Sequence, residues 1–119
     1  MFSAAEGGAI EAMQWLKNQG ADVNVKDSHG RTPLFAAATD EYLDAAKWLR
    51  DQGADINTKD ENGQTAMFEA VMNGQVETMK WLKAQGADVN ARDHDGKTPL
   101  SVASDDEIKE WLRANGARE

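Results

Sequence analysis

Two histidines are the first candidates for chemistry in this chain. His29 follows Ser28, and His94 lies between Asp93 and Asp95. An imidazole can ligate a metal or act as a base near neutral pH. An adjacent serine suggests a nucleophile, and flanking carboxylates suggest a cation site. The spacing argues against each. Ser28 and His29 are neighbours in a turn-forming stretch, and neighbouring turn residues do not converge on one reacting atom. Asp93, His94 and Asp95 match no structural metal spacing. The chain also has no cysteine, which removes disulfides, thiol catalysis and cysteine-ligated zinc and fits a reducing compartment. No catalytic, cofactor-binding or metal-binding residue is therefore expected.

The elements that position these residues come from a repeat. Gly-Ala-Asp-(Val/Ile)-Asn begins at Gly20, Gly53 and Gly86, a constant step of 33 residues. Trp-Leu keeps the same beat at Trp15, Trp48 and Trp81, then arrives 30 residues later at Trp111. A fixed period of this length is the mark of stacked supersecondary units, each offering the same face to its neighbours. His29 and His94 then lie two units apart. Elements stacked at about 8–10 Å place them roughly 16–20 Å from each other, too far for one metal with bonds of about 2 Å.

One unit runs from Asp27 to Lys59. Asp27-Ser28-His29-Gly30 is a turn sequence whose glycine can take a positive φ. Thr32 stands as helix N-cap with Pro33 at the first helical position. A short helix follows over Leu34–Ala38, then a turn at Thr39-Asp40-Glu41. A second helix carries Leu43, Ala46 and Leu49, with Trp48 beside them, and Gly53 ends it in a left-handed conformation. The second unit, 60–92, repeats these steps with Ala66 in the proline place. The third, 93–119, is shortened. From Leu34 to Trp48 and from Met67 to Trp81 is 14 residues, but from Leu100 to Trp111 is 11, so three residues are missing between its helices. Residues 1–26 form a partial first unit without the opening turn. The four tryptophans are expected to pack between units, because aromatic rings bury large areas. Phe2, Phe35 and Phe68 form a second column with the same expectation.

This pattern resembles the ankyrin repeat. The matching residues are Asp27, Gly30, Thr32-Pro33-Leu34, Ala37-Ala38 and Gly53–Asn57, with their equivalents Asp60, Gly63, Thr65, Gly86–Asn90, Asp93, Gly96 and Thr98-Pro99-Leu100. Two framework places depart from the family. The histidine common after Thr-Pro-Leu is Phe35, Phe68 or Ser101, and the glycine common between the helices is kept as Gly8 and Gly74 but is Glu41 in the first full unit. The resemblance implies an all-α ankyrin-repeat solenoid of stacked helix-turn-helix units with projecting β-turn fingers, the first helices lining a concave groove. Asn24, Asn57 and Asn90 would bond to neighbouring turn backbone, although in animal members an Asn in this context can also be hydroxylated.

Ankyrin arrays are mostly protein-binding scaffolds without chemistry of their own. The resemblance therefore implies a non-enzymatic module that binds a partner protein at the finger tips and on the exposed side of the first helices. The candidates are Ser28, His29, Arg31, Thr39, Asp40 and Lys59 in the first full unit. The second offers Glu61, Asn62, Gln64, Glu69, Met72, Asn73 and Arg92, and the third His94, Asp95 and Lys97. Glu69 and Met72 stand out at mid-array. Glu69 replaces the small or apolar Ala36 and Val102, and methionine gives an adaptable apolar contact. Lys26, Lys59 and Arg92 recur at the base of each finger, either as a solvated rim or to steer an acidic partner.

A net charge of −8 disfavours nucleic-acid phosphates and anionic membranes as partners. No apolar run approaches the length of a membrane span, and Met1–Gly8 lacks the basic and apolar regions of a signal peptide. A cytoplasmic protein, monomeric on its own, is expected. The same repeats would also suit a segment of a longer regulatory or effector protein, or an engineered ankyrin scaffold.

Overall fold

The 33-residue beat becomes four helix pairs. The computed structural model describes residues 1–118, and among these it contains eight α-helices and no β-strand. α1 (Phe2–Glu6) pairs with α2 (Ile10–Asn18), and α3 (Pro33–Ala37) with α4 (Leu43–Asp51). α5 (Ala66–Met72) pairs with α6 (Val76–Ala84), and α7 (Pro99–Val102) with α8 (Asp106–Ala114). The first helix of each pair stacks on the next, α1 on α3, α3 on α5 and α5 on α7. First helices thus form one layer and second helices another. The molecule measures 44 × 25 × 20 Å, elongated as a stack must be.

Each second helix stops by the same device. The N–H groups of Gly53 and Ala54 donate to the carbonyls of Arg50 and Leu49 at 3.0 Å each. This pair of bonds is a Schellman motif, and it needs a left-handed residue just past the helix. Gly20, Gly53, Gly86 and Gly116 supply it, with φ between 94° and 99°. The motif brings the following alanine onto the last-turn leucine, and Ala54 and Leu49 are both fully buried.

Helix starts divide the units. Thr32, Thr65 and Thr98 all take extended backbone ahead of a first helix, and Pro33 and Pro99 stand just inside. Only Thr98 caps with its side chain. Its Oγ1 accepts from the Ser101 N–H (3.3 Å), while Ser101 Oγ accepts from the Thr98 N–H (2.8 Å), a complete capping box. The expected side-chain cap is corrected for Thr32 and Thr65, whose hydroxyls make no such bond. Both threonines are buried, and Thr65 Oγ1 has no hydrogen-bond partner among the described residues. At Thr32 the N–H of the third helical residue, Phe35, donates instead to the Thr32 carbonyl (3.0 Å), whereas at Thr98 the Ser101 N–H is held by the hydroxyl.

The core runs continuously between the layers. Met13, Ala46 and Met79 line it from the second helices, Leu34, Met67 and Leu100 from the first, and Val23, Ile56 and Val89 from the segments that lead out to the next unit. Phe68 is fully buried and Phe35 buried, as expected, with Phe2 half-buried.

The tryptophan column does not behave as expected. Trp15 is 62% exposed, and Trp48, Trp81 and Trp111 are only half-buried against the edge of the core. Consecutive helical residues point about 100° apart, so a second helix can aim either its Trp or the following Leu at the first-helix layer. It aims the leucine: Leu49, Leu82 and Leu112 are fully buried.

Candidate protein-binding surface

Three fingers project from the stack. In each, an aspartate organises the turn through both backbone and side chain. Asp27 N–H donates to the Arg31 carbonyl (2.9 Å), and Asp27 Oδ1 accepts from the N–H groups of His29 (2.8 Å) and Arg31 (2.9 Å). Asp60 does the same with Asn62 and Gln64, and Asp93 with Asp95 and Lys97. The Arg31 N–H bond, joined by that of His29, holds the Asp27 carboxyl below its ordinary range. Burial pushes the Asp93 carboxyl up, but bonds from the Lys97 N–H, the Gln64 amide and the Asp95 N–H outweigh it and leave it lowered too.

Neighbouring fingers are bonded to each other. The Glu61 N–H donates to the His29 carbonyl, and the His94 N–H to the Asn62 carbonyl, both at 2.9 Å. This approach leaves no room beside two of the turn glycines. A Cβ on Gly63 would stand 2.9 Å from the His94 backbone nitrogen, and one on Gly30 3.1 Å from that of Glu61. Gly96, in the last finger, has nothing within 4 Å.

The repeated asparagines rivet unit to unit, in keeping with their expected framework role. Asn24 Nδ2 donates to the Gly53 carbonyl (3.1 Å) while its Oδ1 accepts from the Asp55 N–H (2.9 Å). Asn57 repeats this with Gly86 and Asp88, and Asn90 with Gly116 and Arg118. Both ends of each amide are used, so Asp or Leu in its place would lose at least one of the two bonds between units.

The structure gathers seven polar residues, six of them sequence-predicted contacts, around one cleft of about 280 Å³ between the first two fingers. His29, Arg31, Glu61, Asn62, Gln64 and Glu69 line it together with Asp60. His29 Nδ1 lies 3.0 Å from Glu61 Oε1 across the fingers, although both side chains remain more than half exposed. Glu69 is held between units, its carboxylate 4.0 Å from Arg31 Nη1 and 3.3 Å from Asn73 Nδ2. Met72, at the end of α5, is 41% exposed. Ser28 is exposed on the first finger, and His94, Asp95 and Lys97 are exposed on the third. Lys59 donates from Nζ to the Arg92 carbonyl (3.1 Å), so part of the basic edge ties one unit to the next.

Asp40 has a role that sequence reasoning missed. It lies with Thr39 in the turn between α3 and α4, and its Oδ1 accepts from the N–H (2.8 Å) and hydroxyl (2.9 Å) of Thr78. The Asp40 N–H donates to Gln75 Oε1 (2.7 Å). Thr78 is the third residue of α6, so Asp40 caps a helix of the following unit. One signal was available: the N-cap of α6 is Gln75, a residue outside the preferred capping set. Among the described residues no cluster of three His, Asp or Glu side chains is placed to hold a metal ion. No helix there is long and apolar enough to cross a membrane.

Aspartate-stapled fingers, paired antiparallel helices and a left-handed glycine after every second helix define an ankyrin-type solenoid. A family model described as ankyrin repeats (many copies) matches residues 1–49, 34–83 and 68–104. The chain belongs to the ankyrin-repeat family. Ankyrin repeats are generally protein-interaction modules and typically non-enzymatic. No curated protein matches the chain.

Proposed function

We propose that this protein binds a partner protein through its finger tips and the exposed side of its first helices, centred on Glu69 and Met72. The observation that carries this reading is the exposed Met72 at mid-array, one helical turn along α5 from Glu69, which lines the charged cleft. Binding energy concentrates near interface centres, where an apolar anchor is ringed by polar groups. Met72 supplies the anchor, and Arg31, Glu61, Gln64, Glu69 and Asn73 the ring. Ser28, His29, Asn62, Arg92, His94, Asp95 and Lys97 extend the contact along the fingers, and Thr39, Asp40 and Lys59 mark its margins. The reading takes the protein as a cytoplasmic monomer without enzymatic chemistry, and its charge of −8 supports a protein partner over nucleic acid or an anionic membrane.

The test compares wild type with the double variant Glu69→Arg, Met72→Ala in affinity capture from source-cell lysate, followed by titration with the captured protein. Loss of that protein with an unchanged far-ultraviolet helical signal is expected. Equal affinity of both forms for the same partner would remove the groove from the interaction.

A further inference from the structure

The outer side of the second-helix layer carries a pattern that the groove does not use. Each second helix places a tryptophan four residues after a carboxylate: Glu11 and Trp15, Asp44 and Trp48, Glu77 and Trp81, Glu107 and Trp111. Residues four apart lie on one helical face. All four carboxylates are exposed, and every tryptophan keeps part of its ring at the surface. The helix dipole explains an acid in a first turn. The rings of Trp48, Trp81 and Trp111, one turn further on, pack at the edge of the core and leave the rest of their surface open.

Between α6 and α8 this face opens into a cleft of about 220 Å³. Val76, Met79, Ile108 and Trp111 wall it, and Lys80, Asp105 and Glu107 edge it. The cleft lies at the junction where the third unit is short. At the preceding junction, Asp40 straps the α3–α4 turn to Thr78. With the tryptophans aligned, the place of Thr78 is taken by Ile108, which has no hydroxyl to hold. Asp105 caps its own helix instead, accepting from the N–H groups of Glu107 (2.8 Å) and Ile108 (3.4 Å).

We propose that this cleft is a second docking site, for a basic segment of a partner protein that inserts one arginine side chain. Apolar walls suit the methylene stem, since arginine buries its stem and keeps its charge at the surface. The guanidinium plane would stack on the Trp111 ring and meet the carboxylate of Glu107 at the rim. Asp105 Oδ1 is engaged by backbone, and Lys80 pairs with Glu77 at 3.9 Å. Glu107 is therefore the carboxylate the arginine neutralises. On α8 and its cap, Asp105, Asp106, Glu107 and Glu110 stand against Lys109 and Arg113, which leaves a net acidic helix to steer a cationic segment toward the site. This surface stands apart from the finger cleft, so both can be occupied at once.

The test is a nuclear magnetic resonance titration of ¹⁵N-labelled protein. The probe is the capped peptide Gly-Arg-Gly-Gly-Arg-Gly, with a Glu-for-Arg peptide as control. A saturable shift of the Trp111 indole N–H signal is expected with the arginine peptide and not with the glutamate peptide. Affinity should fall about tenfold or more in Glu107→Lys, on the scale of one lost charge contact. Glu107 is exposed, so that variant keeps its fold, and Trp111→Leu should weaken binding while retaining an apolar wall. The Glu69→Arg, Met72→Ala protein should bind the peptide as wild type does, which separates this site from the groove. Absence of a saturable shift at Trp111, shifts centred on Glu69 and Met72, or unchanged affinity in Glu107→Lys would each overturn the proposal.

Discussion

The second full unit, stacked between two others, and the third, which among the described residues stacks on the second, start from the same plan and solve it differently. In the second, Phe68 is sealed in the stack, the Thr65 hydroxyl is buried without a bond among the described residues, and α6 is capped by Asp40 from the unit before. In the third, Ser101 stands in the place of Phe68, Thr98 and Ser101 close a capping box, and α8 is capped by its own Asp105. The second unit draws on its neighbours for packing and hydrogen bonds, while the third satisfies its own backbone with short polar side chains. Nearest-neighbour contacts of this kind couple the units of a stack.

The sharpest way to break this contrast is at the third position of the first helix. Phe68→Ala should cost about 3–5 kcal/mol through lost burial and a residual cavity. Ser101→Ala, at the equivalent place, should cost only about 0.5–2 kcal/mol, the scale of a lost cap. Urea unfolding midpoints of the two variants check this. If Ser101→Ala proved as damaging as Phe68→Ala, the division between packing and capping would fail.

The turn glycines offer a smaller effect with the same logic. Gly96→Ala should cost about 1–2 kcal/mol, the strain of a left-handed φ on a residue with a Cβ. Gly63 has the same φ, 78° against 77°, but its Cβ would also press on the backbone of His94. Gly63→Ala should therefore be the more destabilising of the two, and it should weaken hydrogen-exchange protection of the His94 amide. Equal losses would mean that the finger-to-finger bond yields at little cost.

The smallest effect differs in sign. Thr98→Val breaks the capping box and should destabilise by about 0.5–2 kcal/mol. Thr65→Val removes a buried hydroxyl that has no partner, and should be neutral or stabilising by about 1 kcal/mol or less. A marked loss of stability in Thr65→Val would show that its hydroxyl is paired after all.

Much of this architecture was readable in the chain. The 33-residue period, Gly53 and its equivalents, and the turn sequences at Asp27, Asp60 and Asp93 located the helix ends and fingers, because each rests on local backbone chemistry. The errors have a common cause. Trp48 and Leu49 are both apolar and adjacent, and only the angle at which α4 docks decides which one meets α3. Thr65 and Thr98 look identical in sequence, yet only at Thr98 does the N–H three residues on go to the hydroxyl. The capping role of Asp40 was hidden because its partner Thr78 is 38 residues away. In the candidate site, sequence pointed to residues one unit at a time. His29 with Glu61, and Arg31 with Glu69, became partners only when two fingers stacked.

What the sequence determined by itself is therefore the repeating unit: its turn, its helix starts and stops, and the family to which it belongs. Those features depend on interactions spanning a few residues, and such interactions repeat wherever the residues repeat. What only the tertiary structure decided is how the units differ from one another. It turned the leucines inward and left the tryptophans at the surface. It spent Asp40 on the neighbouring helix, and it opened a cleft where the shortened third unit has Ile108 in place of Thr78. These outcomes depend on the packing angle and spacing between units, which are set by all the side chains at a junction together.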